Sequence, residues 1–223
     1  EIKNLVASFE YIESIVSPFV VAAATIVDSA GLIGSLPIKG GEKVVIDVKT
    51  NMSELPIRYE MVVWKVSNRF AQQKKQTYSL GLISPEALQN EITRVNTVME
   101  GNPEAIIKKL ISEKEYIGSG KEFFSEPSLL ETKLIPTKTR PFDIAAQLAV
   151  KSVSPKAKFE STDSDSTSTT AQEIRGSGGF LFWETRRGYN FFAVDSLCAD
   201  EKSPLKSDRL KVKAWGSGKN KEY

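Results

Sequence analysis

Arg186 and Arg187 lie between two aromatic runs, "FLFWE" and "YNFFAV", so that Phe180, Phe182, Trp183, Tyr189, Phe191 and Phe192 fall within thirteen positions. Aromatic rings stack on bases and arginines hold phosphates, so one chemistry for this pattern is nucleic-acid binding. The same residue types are enriched at protein–protein interfaces. The arginines fall in the turn and most of the aromatics on the strands. With 30 basic and 28 acidic residues the net charge is only +2, whereas a dedicated nucleic-acid binder shows a strong basic excess. The favoured reading is therefore a protein partner, with Arg186, Arg187 and Tyr189 as its candidate contacts. The alternative is a nucleic-acid-binding module using the Arg-aromatic hairpin and the lysine-heavy C-terminal tail.

The other residues that could do chemistry are sparse. There is no histidine, which removes histidine-dependent triads, Cys–His dyads and histidine-ligated zinc. The lone Cys198 cannot form an intramolecular disulfide and reads as a small hydrophobe at a strand end. "IGSGKE" at 117–122 and "WGSGKN" at 215–220 resemble a phosphate loop, but both lack the leading glycine and the Ser or Thr after the lysine. They read as flexible loops with solvated lysines. Asp163 and Asp165 have the spacing that opens a calcium loop, without its glycine and distal glutamate. Asp28 and Glu42 could approach across a sheet as a carboxylate pair. The expectation is no catalytic, cofactor-binding or metal residue, no cofactor and no enzyme.

Around the arginines, "TRRGY" suits a hairpin whose three-residue loop is Arg186, Arg187 and Gly188. That loop pairs Thr185 with Tyr189, Trp183 with Phe191 and Phe182 with Phe192. Side chains alternate along a strand, so Trp183 and Phe191 share one face and Phe182 and Phe192 the other. Both faces are apolar, which predicts a covered hairpin with these four residues as its core.

The rest of the chain supplies the cover. Residues 1–84 read as β-structure, with strands named at 17–31, 36–50, 56–70 and 72–84 and turn signals between most of them. They predict a small antiparallel sheet or barrel. At Ser84 the period changes. "SPEALQNEITRVNTVMEG" predicts a helix over 84–101 with Leu88, Ile92, Val95 and Met99 on one face. "NPEAIIKKLISEKEYIG" repeats the recipe, and "RPFDIAAQLAVKSV" gives a third helix with Ile144, Ala145 and Leu148 inward. The polar stretch 161–179 reads as a flexible Ser/Thr-rich insertion, and "DRLKVKAW" as one more strand. The fold class is α+β: an antiparallel β-domain at 1–84, then an α/β domain at 85–223 with three helices and the aromatic hairpin. The longest apolar run, "FVVAAATIV", is too short to span a bilayer and ends at Asp28.

Two stretches resemble the baseplate central hub family of T-even-type contractile phages. They are "SPFVVAAATIVDSAGLIGSLPIKGGEKVVIDV" and "EYIGSGKEFFSEPSLLETKLIPTKTRPFDIAAQLAVKSV" with the following "GGFLFWETRRGYNFFAVDSL". The resemblance implies a tube-type β-barrel in a virion structural protein without catalytic residues. It implies a homotrimer whose pseudo-sixfold ring joins a tail-tube protein to a membrane-piercing spike protein, located in the virion baseplate and, during assembly, in the host cytoplasm. In this sequence one N-terminal barrel segment is clear, and a second barrel is not.

Overall fold

The computed structural model describes residues 2–35, 38–49, 56–72, 75–155 and 179–198. The insertion expected at 161–179, apart from Gly179, the strand expected at 208–215 and the second Gly-Ser-Lys loop lie outside the described residues.

The N-terminal half is one antiparallel sheet. Its strands are β1 (Val6–Ile12), β2 (Val21–Asp28), β3 (Lys43–Val48), β4 (Ile57–Gln72) and β5 (Lys75–Ile83), in the order β1-β2-β5-β4-β3. Strand β1 was not among the segments singled out above. A one-turn helix, α1 (Leu32–Ser35), follows β2. The alternation of β2 is regular: Ala22, Ala24, Ile26 and Asp28 are buried, and the residues between them half-buried. The inward residues pack with Met61, Val63, Tyr78, Leu80 and Leu82 into one core.

The sheet curls strongly. Phe9 and Tyr11 on β1 meet Tyr59 on β4, with ring centroids 5.7 and 4.5 Å apart. Two strands intervene, so a flat sheet would hold these strands about 14 Å apart. The result is a half-barrel rather than a closed one. Among the described residues no strand pairs with the outer edge of β1 or of β3.

The second half is a mixed layer. It contains α2 (Pro85–Ile92), β6 (Met99–Gly101), α3 (Pro103–Ser112), β7 (Glu122–Ser125), β8 (Thr132–Leu134), α4 (Pro141–Lys151), β9 (Phe180–Thr185), β10 (Gly188–Ala193) and α5 (Val194–Cys198). Helices α2, α3 and α4 each begin at a proline, whose fixed φ suits the first helical position. Ile106, Ile107, Leu110, Ile144, Ala145 and Leu148 are buried with the hairpin aromatics in a second core. Fully burying each large aliphatic side chain contributes about 1.5–3 kcal/mol. Among the described residues no helix is long and apolar enough to cross a membrane.

Three local expectations are corrected. The helix expected over 84–101 stops at Ile92, because Thr93 turns extended and Val95 instead bridges to Thr139. Met99–Gly101 is strand β6, paired with β8. Ile92, assigned to the inner face, is 75% exposed. Cys198 ends a short helix, not a strand. Asp28 and Glu42 do not form a carboxylate pair: β2 and β3 are separated by two strands, and each carboxylate caps a turn. Asp28 accepts from the amides of Ala30 (3.0 Å) and Ile33 (3.1 Å), and Glu42 from those of Lys39 (2.8 Å) and Gly40 (2.9 Å).

Candidate assembly interface and the polar joint beneath it

The hairpin β9–β10 forms where expected, but its register differs by one. Gly188 pairs with Thr185, Tyr189 with Glu184, Asn190 with Trp183 and Phe191 with Phe182, so the loop is Arg186–Arg187 alone. The one-residue slip exchanges faces. Phe182 now shares a face with Phe191, Tyr189 and Phe180, while Trp183 shares the opposite face with Phe192, at 6.1 Å. The role of Gly188 explains the error. It serves a close approach rather than a loop conformation: β7 runs parallel beside β10, and a Cβ on Gly188 would lie 2.2 Å from the Glu122 carbonyl oxygen.

Phe182, Trp183, Phe191 and Phe192 are all buried, between 0% and 9% exposed. Phe182 stacks on Tyr189 at 5.6 Å, and Phe180 on Phe191 at 4.6 Å. No ring of the hairpin is left free for a base, so the alternative nucleic-acid reading loses its stacking surface here. Tyr189 is also fully buried, which withdraws it from the candidate partner contacts. Burial pushes its phenol well above the ordinary tyrosine value, and among the described residues its hydroxyl has no hydrogen-bond partner. Arg186 and Arg187 remain at the surface.

β9 is an edge strand of the order β7-β10-β9, and the connection from β1 to β2 covers it. The Glu184 amide donates to the Ser17 carbonyl (3.4 Å), and the Arg186 amide donates to Glu13 Oε1 (2.6 Å). Tyr11 also donates its hydroxyl to Glu13; burial, then the Glu13 charge, raises its pKa. On the same connection Ile12, Ile15 and Val16 are 44%, 52% and 79% exposed. The arginine turn thus sits beside an exposed apolar loop, the mixture that anchors many protein interfaces.

Beneath this surface lies a cluster that sequence reading missed. Glu184, 1% exposed, accepts from the Val20 amide through Oε2 (2.9 Å) and from Lys121 Nζ through Oε1 (2.5 Å). Lys121 also binds Glu86 Oε2 (2.8 Å), and Ser119 Oγ donates to Glu86 Oε1 (2.7 Å). Lys121 and Ser119 belong to "IGSGKE", read above as a flexible loop with a solvated lysine. The loop is instead tied to the end of α3, where the Ser119 amide donates to the Ile111 carbonyl (2.8 Å) and Gly118 has φ 65°. The signal available was the pairing of two glutamates and one lysine, but those residues are 35 and 63 positions apart in sequence.

The charges explain the pKa directions. Burial raises the Glu184 carboxyl, the Lys121 ammonium only partly offsets this, and the Glu86 charge adds to the rise. Desolvation acts to lower Lys121, but two carboxylates outweigh it and raise its pKa. A cleft of about 250 Å³ opens beside the cluster, lined by Tyr11, Tyr59, Lys121, Glu184 and Arg186 among others. Every carboxylate oxygen of Glu86 and Glu184 already accepts a hydrogen bond. That is the arrangement of a clasp between the half-barrel and the α/β layer. Among the described residues no group of three or more His, Cys, Asp or Glu side chains could hold a metal ion.

No protein-family model matches this chain, and no curated protein does. One solved structure that resembles it is the E. coli c3393 protein, described as a component of the type VI secretion system with structural similarity to the T4 bacteriophage tail proteins gp27 and gp5. The similarity has a TM-score of 0.48 at 12% identity, and it covers 84% of this chain and 45% of that one.

Proposed function

We propose that this chain is a structural virion protein, the central hub of a contractile phage tail baseplate. It assembles as a homotrimeric ring that joins a tail-tube protein to a membrane-piercing spike protein, and it has no catalytic role. The observation that carries the reading is the curled five-stranded sheet with both outer edges unpaired among the described residues. Open β-edges need cover or a partner, and different edges meeting head to tail close into a ring when the rotation allows. The two sequence stretches that resemble the hub family include β2, β3, β7, α4 and the aromatic hairpin. Arg186 and Arg187, beside the exposed Ile15 and Val16, are the proposed partner contacts.

Sedimentation velocity across a concentration series tests this. The expected result is a trimer. Changing both Arg186 and Arg187 to Ser should barely affect folding of the subunit, measured at concentrations where it is monomeric, while weakening assembly by about 2–4 kcal/mol, as arginine anchors do. A protein that stays monomeric at high concentration, with or without tail-tube and spike partners, overturns the hub reading.

A further inference from the structure

We propose that the loop Leu129, Leu130 and Glu131 of one copy seats in the arginine-rimmed cleft of a second copy, head to tail. This deepens the assembly reading and rests on it, since it names the patch that Arg186 meets. Two surface features lack a counterpart within the chain. The first is the cleft of about 250 Å³ beside the polar joint, lined by the exposed Arg58 and Arg186 and by Tyr11, Val20 and Tyr59 among others. That volume lies below the ~300–1,000 Å³ of small-molecule sites and suits a single side chain. The carboxylates nearby are engaged: Glu184 by Lys121, Glu60 by Arg58, and Glu13 by the Tyr11 hydroxyl and the Arg186 amide. Among the described residues the Arg186 guanidinium has no ion pair. Arg58 meets Glu60 through Nε alone, at 3.4 Å.

The second feature is the loop. Leu129 is 48% and Leu130 56% exposed, and Glu131 beside them is exposed as well. The chain holds them outward. Buried Glu126 accepts from the Ser196 hydroxyl (2.8 Å) and the Ala193 amide (3.4 Å). Glu104 accepts from the Ser128 amide (3.2 Å) and hydroxyl (2.7 Å), and the Leu129 amide donates to the Val153 carbonyl (2.9 Å). Strand β8 begins directly after, at Thr132. A loop fixed in this way loses little freedom on binding. Among the described residues the Glu131 carboxylate has no ion pair. Other exposed apolar residues near an acid fit less well. Glu91 beside Ile92 is held by Arg140 (2.8 and 2.9 Å), and Glu100 near Val98 by Lys133 (3.0 Å). Asp47 accompanies a single exposed valine, Val45.

The two features lie at opposite ends of one three-stranded sheet. Gly188, next to the arginine turn, pairs with Glu122 at the start of β7. At the other end Ser125 pairs with Phe191, and Glu126 binds the Ala193 amide. The ends of β10 are about 17 Å apart at ~3.3 Å per residue, so the anchored loop stays clear of the cleft of its own chain. A patch at one end that fits a patch at the other makes a heterologous contact, which closes into a ring when the rotation allows. In this contact the Glu131 carboxylate lies between Arg58 and Arg186, whose forks match a carboxylate. Leu129 and Leu130 cover Ile15 and Val16, 52% and 79% exposed. The connection carrying that pair borders the cleft, because its Ser17 carbonyl and Glu13 carboxylate bind the amides of Glu184 and Arg186. A nucleic acid would use the arginines and leave Ile15 and Val16 in water.

The test is sedimentation velocity on the full chain and two variants. L130S/E131Q lacks the loop's contacts, and R58Q/R186Q lacks the charges of the cleft. Each should keep the parent's melting curve at concentrations where all are monomeric. Each should raise the dissociation constant for self-association about 30-fold or more, the factor a hot-spot residue gives. Their equimolar mixture should regain the parent's affinity in one-to-one pairs, because each pair holds one intact loop and one intact cleft. The charge exchange E131R/R186E should recover most of what either single reversal loses. The contact is overturned by either variant assembling as the parent does, by a mixture no tighter than its parts, or by a parent that stays monomeric. It is also overturned if polyglutamate binds the parent and not R58Q/R186Q while both variants self-associate normally; the cleft then belongs to an acidic partner protein. A trimer that both variants leave intact refutes this contact and spares the hub reading. An open series of oligomers lost in both variants refutes the hub and spares the contact.

Discussion

Glu184 is an acid buried against its own preference, and that preference can be measured. Burial, with the Glu86 charge adding to it, raises its pKa in the folded chain against the opposing pull of Lys121. The folded protein therefore keeps a proton on Glu184 at a pH where the unfolded chain, with a value near 4.3, has lost it. Where the native state binds more protons, stability falls as pH rises. Glu184 thus lowers stability progressively from about pH 4.3 up through its folded pKa. Asp28 and Glu42 act oppositely: hydrogen bonds to the Leu32 amide and to the Lys39 amide, respectively, are the largest causes holding them low. Their contribution is lost as pH falls through their folded values. Lys121, raised, matters only at the alkaline end. Glu184→Gln isolates the one group and keeps an oxygen for the Val20 amide. Urea unfolding from pH 4 to 8 should show the variant gaining on the parent as pH rises. A constant difference would mean that Glu184 titrates as it does in the unfolded chain.

At the scale of elements, the end of α2 is the sharpest test of what periodicity can say. The i, i+4, i+7, i+11 pattern of Leu88, Ile92, Val95 and Met99 looks helical, yet Ile92 is 75% and Val95 1% exposed. Ile92→Ser should change stability by no more than about 0.5 kcal/mol. Val95→Ala should cost about 2 kcal/mol for two buried carbons and the cavity left behind. Chemical denaturation of both variants checks this, and equal costs would mean that the helix runs on past Ile92. The pattern misled because Val95 and Met99 are buried for another reason: each begins a pairing with distant chain, Thr139 and Leu134. Helices α3 and α4 were legible because proline starts and apolar spacing agree with a local neighbour on one side only. The hairpin was legible as an element but not in register, since Gly188 shows that a side chain is excluded without showing that Glu122 excludes it. The trio of Glu86, Lys121 and Glu184 was not legible at all: nothing local distinguishes a glutamate that will be buried beside a lysine from one that stays in water.

For the whole molecule, the question is whether the half-barrel and the α/β layer unfold together. Their apolar cores are separate clusters, one led by Ile26, Tyr78 and Leu82 and the other by Ile107, Leu148 and Phe191. What links them is short. Phe19 reaches the second core, and its neighbour Val20 belongs to the first. The Ser84 amide donates to the Val20 carbonyl (3.1 Å), and Glu184 holds the Val20 amide (2.9 Å). Among the described residues, Lys121 is the one cation ion-paired with both Glu184 and Glu86 at this junction. Removing it leaves two neighbouring buried carboxylates without their counter-charge, a change that costs about 3–5 kcal/mol in buried pairs. The loss should fall on the junction rather than on either core, so Lys121→Ala should lower the coupling between the halves more than their separate stabilities. Trp64 reports on the sheet and Trp183 on the hairpin, so single-tryptophan versions can follow each half in the same denaturant series. Coincident transitions are expected with Lys121 present, and separated ones in Lys121→Ala, the Trp64 and Trp183 midpoints moving apart. If the two probes stay coincident in the variant, the apolar contact of Phe19 couples the halves and the buried clasp does not.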